Sequence, residues 1–282
     1  MTRATGCSIA AACRALDKPR SWYYYRGRGA MRPARRPEIE LAIRALLGGN
    51  PASYGYRRIH ALLNRRGVHC NPKTVWQAMQ RQGWLSTSRQ RVVRSTRRHE
   101  GRVQVAEPNR RWASDITSIR AWDGQKGRLA VMLDCADRNV IAWRFAKRIT
   151  AEDLAEMLRE AVFRRFGEAR SAACGIELLS DNGPEYTSHR FQPFVQALGL
   201  IPCHTPRRSP ESNGLAEAFF GSFKRDYVYQ ACLETLEDTA RQIPGWIAHY
   251  DQEAPHSALG MQSPAQWYAA WLVKQQQLPV QN

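Results

Sequence analysis

The sequence predicts an all-α, strongly basic front region followed by an α/β core, and three observations predict it. The net charge of +17 is unevenly placed: residues 1–110 carry 23 Lys/Arg against 5 Asp/Glu, a net +18, while residues 111–282 carry 19 against 20, a net −1. Up to about residue 85 the apolar residues recur at helical spacing. From residue 111 onward, short alternating or continuous apolar runs give way in turn to long amphipathic segments, the pattern of strands and helices interleaved.

In the front region, SIAAACRAL (8–16) reads as a short helix opened by Ser8 and broken at Asp17-Lys18-Pro19, with the aromatic SWYYYR as a second helix after the turn. EIELAIRALL makes the next helix, stopped by Gly48-Gly49-Asn50-Pro51. The clearest pair follows. RRIHALLNRRG (57–67) sets Ile59, Leu62, Leu63 and Arg66 at helical spacing and ends at Gly67. Asn71 then caps a helix with Pro72 at its first position, and Val75, Ala78 and Met79 form its buried stripe. Its outer face presents Lys73, Thr74, Gln77, Gln80 and Arg81, side chains suited to phosphates and base edges in a major groove, with Arg57 and Arg58 on the helix before it. A plain helical bundle with a wet face would read the same locally; the charge asymmetry favours double-stranded DNA as partner.

Residues 86–110 hold seven arginines, two acids and few large apolar residues, the composition of a basic linker able to follow a phosphate backbone. Beyond it, WASDITSI, RLAVMLDCA and VIAWRFA form a meander, AEDLAEMLREAVFRRF a long helix and IELLSD a fourth strand. A helix near 188–199, the short strand GLIPCHT and a helix over 211–226 complete the series. Three antiparallel strands, a helix, then strands and helices in alternation is the order of an RNase H-like α/β fold. The expected division is a helix-turn-helix region at 1–85, a linker at 86–110, a catalytic core at 111–228 and a helical extension at 229–282.

No apolar run reaches the ~20 residues a membrane span requires, and the first thirty residues lack a secretory pattern, so a cytoplasmic, nucleoid-associated location is expected. The seven cysteines include no Cys-x-x-Cys pair; they are expected to be free and mostly buried. The nine tryptophans, Trp76, Trp84 and Trp112 among them, are expected in the core, and His249 and His256 in packing or at the surface.

Two aspartates sit where a strand disfavours them. Asp115 lies within the first strand and Asp181 ends the fourth, so each should face solvent or a cation. Alone, Asp181-Asn182-Gly183 is an ordinary tight-turn signal. The third acid alters that reading. Glu217 falls in SPESNGLAEAFFGSFKRD, where Ser212 or Asn213 can cap a helix and Phe219, Phe220 and Phe223 supply its apolar side. Lys224, seven residues on, shares the face of Glu217 about 10 Å further along the axis, too far for an ion pair and suited to a phosphate. Three carboxylates on separate elements, with no His or Cys ligand, suit two Mg²⁺ or Mn²⁺ ions and phosphodiester chemistry.

The intervals are 65 residues between Asp115 and Asp181 and 35 between Asp181 and Glu217, with Lys224 seven on. They resemble the DD(35)E pattern of bacterial insertion-sequence transposases and retroviral integrases. WASDIT, SDNGPEY, RSPESNGLAEAFFGSFKRDY and PHSALGMQSP resemble, in order, the blocks of the second-reading-frame (OrfB) transposases of insertion-sequence family three. YGYRRIHALLNRRG resembles that family's helix-turn-helix, and RSPESNG with FKRDY resembles its second-element-like subgroup. The likeness runs from about residue 8 to about 270. It implies Asp115, Asp181 and Glu217 as metal ligands, and Lys224 and Asn213 as DNA-contacting or site-shaping. Glu185 and Glu211 compete for the third acid, but their intervals do not fit. The zinc-binding histidine and cysteine pairs that begin retroviral integrases have no counterpart in His60, His69 and Cys70.

The expected function is therefore metal-dependent cleavage at the ends of an insertion element followed by strand transfer into target DNA, with terminal inverted repeats and target as partners and a homo-oligomer assembled on them. The resemblance also implies an upstream-frame (OrfA) partner or fusion made by frameshifting. The rivals are an RNase H-like nuclease that cuts without joining and a non-catalytic helix-turn-helix regulator. The basic front end speaks against the first and the intact acids against the second.

Overall fold

The computed structural model describes residues 8–17, 19–20, 36–49, 53–85, 105–168, 173–204 and 214–277. The expected SWYYYR helix, nearly all of the basic linker and Asn213 lie outside them. Among the described residues, no helix is long and apolar enough to cross a membrane.

Helix α1 (Ile9–Ala15) begins where Ser8 Oγ accepts from the Ala11 amide at 3.2 Å. Three helices then pack as a unit: α2 (Pro37–Leu47), α3 (Tyr56–Arg65) and α4 (Pro72–Arg81). The Asn71 side chain accepts from the Lys73 amide at 2.8 Å, satisfying a donor that the helix start leaves unpaired. Gly67 takes a left-handed conformation (φ +77°) that lets the chain leave α3 and turn into α4. Ile39, Ile43, Leu46, Ile59, Leu63, Val75 and Met79 meet in one core, so the periodic apolar positions are spent holding the three helices together.

The core domain is a five-stranded sheet in the order β3-β2-β1-β4-β5. Strands β1 (Arg111–Arg120), β2 (Lys126–Asp134) and β3 (Val140–Ala146) form an antiparallel meander. Strands β4 (Glu177–Ser180) and β5 (Ile201–His204) add in parallel to the far side of β1. Helix α5 (Ala151–Phe166), opened by a reciprocal Thr150/Asp153 cap, and α6 (Phe191–Ala197) cover one face. Helices α7 (Gly214–Asp226) and α8 (Leu236–Gln252) cover the other. Strand β2 is thus buried on both sides: Ala130 and Met132 enter the first core, Leu129, Val131 and Leu133 the second, which explains its continuous apolar run. Helix α9 (Pro264–Gln277) follows α8.

The cysteines depart from expectation. Of the six described, Cys13 and Cys135 are buried, Cys70 and Cys203 are half-buried, and Cys174 and Cys232 are exposed. Trp112 is fully buried, but Trp122 stands 67% exposed at the β1–β2 turn.

Candidate active site

Alternation along β1 decides where its carboxylate goes. Trp112 faces the core under α5, Ala113 and Ile119 face α7 and α8, and Asp115 shares their parity. Its side chain therefore rises on the face that α7 covers. Asp181 follows β4 directly, two residues beyond Leu179, which pairs with Ala113, and Asp115 lies two residues beyond Ala113 on the neighbouring strand. Helix α7 packs Ala216, Phe219, Phe220 and Phe223 into the second core, which brings Glu217 from its first turn and Lys224 from its last over the same strands.

Asp115 is half-buried, while Asp181 and Glu217 are exposed. Burial pushes the Asp115 carboxyl up to about 6, the negative charges of Asp181 and Glu217 push the same way, and the Ile116 amide, donating at 2.8 Å, and Lys224 oppose them. Lys224 is itself lowered by burial, and the carboxylate that counters this is that of Asp115. The charge that acts on the lysine is thus that of the first acid, which helical spacing relative to Glu217 did not reveal. Among the described residues, no three His, Cys, Asp or Glu side chains stand close enough together to hold a metal ion. The acids share a field but are not drawn in to ligating distance. Their donor set is oxygen only, and their mutual repulsion is the feature that a hard dication would relieve.

Several residues that sequence reasoning missed shape the Asp181 turn. The Ser114 hydroxyl donates to the Val131 carbonyl at 3.1 Å, leaving its oxygen to accept from the Tyr186 hydroxyl at 2.8 Å. Tyr186 is 1% exposed, and burial raises its hydroxyl far above the ordinary tyrosine value. Gln192 donates to the Tyr186 carbonyl at 2.7 Å and meets His204 Nε2 at 3.1 Å, while His204 Nδ1 lies 3.3 Å from Ser180 Oγ. The end of β4 is therefore tied to β1, β5 and α6. Gly183 donates its amide to Asp181 Oδ1 at 2.9 Å, and a Cβ at this glycine would lie 2.9 Å from that same oxygen. Glu185, the competitor for the third acid, is paired with Arg128 at 2.5 Å. Burial would raise its carboxyl, but its own backbone amide and Arg128 hold it below the usual range.

The front helices divide their polar residues. Lys73 and Gln77 are exposed on α4, Thr74 is half-buried beside them, and Arg57 is exposed with its guanidinium against the Tyr56 ring. Arg81 is instead taken by Glu40 at 2.6 Å, and Arg58 by Asp226 at 2.7 Å. Two of the expected DNA-facing arginines are thus engaged within the protein, because each lies opposite a carboxylate on a packed neighbour. His249 accepts or donates at 2.9 Å with the Tyr227 hydroxyl, and His256 packs edge-on against Tyr250.

Residues 34–92 match a family described as HTH-like domain, and residues 105–210 and 198–264 match two described as Integrase core domain. An insertion element IS136 protein of Agrobacterium fabrum is 44% identical over 181 residues, 64% of this chain and 92% of that one. The transposase InsD of insertion element IS2 from Escherichia coli is 36% identical over 236 residues, covering 82% of this chain and 78% of its own. Among solved structures, a simian T-cell lymphotropic virus intasome aligns with a TM-score of 0.49 at 18% identity, over 79% of this chain and 76% of that one. The chain belongs to the OrfB-type DDE transposases of insertion-sequence family three, the family of the IS2 transposase InsD, and is a DNA transposase with an integrase-type core.

Proposed function

We propose that this transposase cuts phosphodiesters at the ends of its element and joins each freed 3′-OH to target DNA at a site built from Asp115, Asp181 and Glu217, with two Mg²⁺ or Mn²⁺ ions as cofactors. The observation that carries this reading is the placement of the three acids, Asp115 on β1, Asp181 directly after β4 and Glu217 in the first turn of α7, near enough for Asp181 and Glu217 to act on the Asp115 carboxyl. Two such ions, when bound, supply charge neutralisation and an activated oxygen for in-line displacement. Water attacks phosphorus as the bond to the 3′ oxygen breaks, leaving a 5′-phosphate on the flanking DNA, and the 3′-OH so released then attacks a second phosphodiester, whose own bond to its 3′ oxygen breaks to release a new 3′-OH. Asp115 forms the floor of the site, and the exposed Asp181 and Glu217 form its open rim, where a DNA strand can lie. Lys224 supports the Asp115 carboxylate and neutralises a nearby phosphate. Asn213 contacts the DNA.

Lys73, Thr74, Gln77 and Arg57 face the terminal inverted repeats, and the enzyme acts in the bacterial cytoplasm as a homo-oligomer on DNA, with an upstream-frame (OrfA) partner or fusion. The test is incubation with Mg²⁺ and labelled duplexes carrying the terminal repeats that flank its own coding sequence. Joined products are expected; cut but unjoined products would leave a nuclease, and retarded but intact DNA a regulator.

A further inference from the structure

The helix-turn-helix unit is fastened to the helix that carries Glu217 and Lys224, and the fastening converges on one carboxylate. Asp226 is the last residue of α7, where the helix dipole disfavours an acid. It is nevertheless 5% exposed and saturated with donors. Ser53 Oγ donates at 2.6 Å and Arg58 at 2.7 Å from the front unit, and Arg225 donates twice from beside it, at 2.7 and 2.9 Å. Burial would raise this carboxyl, but Arg225, Arg58 and Ser53 hold it below the usual carboxylate range. Arg58 is itself fixed over the fully buried Tyr54 ring at 4.8 Å. A second fastening lies nearby: Arg65 on α3 donates to the carbonyls of Glu253 and Met261 at 2.7 and 2.6 Å, and Ala254 enters the front unit's core.

Helix α7 cannot absorb movement between these points, because Phe219, Phe220 and Phe223 lock it into the sheet's second core. Asp226 lies nine positions after Glu217, about 13.5 Å along a rigid helix. Successive phosphates of one strand rise only about 3.4 Å along the duplex axis. A slip of that size between the DNA-holding unit and α7 would present the neighbouring phosphodiester to the acids.

We propose that Asp226 is a positioning residue: by holding Ser53 and Arg58 at the end of α7, it sets which phosphodiester of the bound element end meets Asp115, Asp181 and Glu217. The inference rests on the function proposed above. It differs from a mere structural cross-link in a definite way. A cross-link, once lost, lowers the amount of folded enzyme, whereas a lost positioning contact moves the cut.

The experiment maps cut positions at single-nucleotide resolution for the full chain with Mg²⁺ and labelled terminal-repeat duplexes, alongside melting and gel retardation. Wild type should cut one bond. Asp226→Asn and Arg58→Gln should lose about tenfold at that bond, the scale of loss from small misplacements, and gain cuts at its neighbours, with retardation unchanged. Ser53→Ala should shift the distribution less, and Arg58→Lys should restore the native bond. Should Asp226→Asn fail to fold, Arg58→Gln and Ser53→Ala decide, since neither alters α7. Weaker cutting confined to the native bond in these variants would overturn the inference, as would weakened DNA retention by Arg58→Gln. A wild-type chain that cuts no repeat end would instead remove the proposed function, and this inference with it.

Discussion

The hydroxyls of Tyr186 and Ser114 meet 2.8 Å apart, so the turn that follows Asp181 is tied to the strand residue immediately before Asp115. This bond fixes the two aspartate-bearing segments relative to each other from beneath the sheet. Tyr186→Phe keeps the buried ring and leaves Ser114 its bond to the Val131 carbonyl, so the cost in stability should be about 1 kcal/mol. Strand transfer should fall by about tenfold, more than that loss of stability explains. Melting and joining measured on the same preparation check it; full activity with lowered melting would make the bond purely structural.

Gly183 matters for the space it leaves. Gly183→Ala puts a methyl 2.9 Å from Asp181 Oδ1, and the carboxylate must swing away. Joining should drop by about ten- to a hundredfold, while stability changes by no more than about 0.5 kcal/mol because the turn is at the surface. Isothermal titration with Mg²⁺ should show correspondingly weaker binding than wild type. Unchanged metal affinity with unchanged joining would show that Asp181 tolerates the shift.

Lys224 on α7 and Asp115 on β1 act on each other's charge, each opposing the effect of the other's burial. Lys224→Ala should abolish most joining, and Lys224→Arg should keep part of it, since the charge survives while the contact changes shape. Melting should fall little for either, as the lysine is half-exposed. A well-folded alanine variant that joins normally would return this lysine to the ordinary solvated charges of a helix.

What the sequence made legible was local or strictly periodic. The cap at Asn71, the apolar run that becomes β2 and the place of Asp115 within the first strand all act over a few residues. What stayed hidden is long-range. Arg58 meets Asp226 across 168 residues and Arg81 meets Glu40 across 41, and nothing in either arginine's surroundings marks it as an internal partner rather than a DNA contact. Tyr186 reaches Ser114 across 72 residues, and His204 reaches Ser180 only because β5 pairs in register with β4. Lys224 shares the face of Glu217 by helical spacing, but the carboxylate that counters its burial, Asp115, belongs to another element and could not be counted out along the helix.

His256 ties stability to pH. Burial, with Arg58 and Arg138 adding to it, lowers its imidazole to about 4, and its buried Nε2 has no hydrogen-bond partner among the described residues. The folded chain therefore resists a proton that the unfolded chain accepts below about 6.5, so the stability this residue contributes is full above that pH and is lost as pH falls toward 4. At most about 3 kcal/mol is involved. Asp251, raised to about 7, and Asp134, raised to about 6, act in the opposite sense, their contribution fading as pH rises through those values. The difference between wild type and His256→Asn isolates the histidine. Their gap in Tm should narrow steadily from pH 7 to pH 4.5; a gap independent of pH would mean that this imidazole does not titrate differently on folding.

The three acids bear the central claim, and the most direct measurement is strand transfer by Asp115→Asn, Asp181→Asn and Glu217→Gln with Mg²⁺ on terminal-repeat duplexes, next to Glu185→Gln as a carboxylate held by Arg128. Each of the first three should show neither cutting nor joining while melting and DNA retention stay near wild type, and Glu185→Gln should remain active. Joined product from any one of the first three would take that residue out of the site and contradict the shared metal centre.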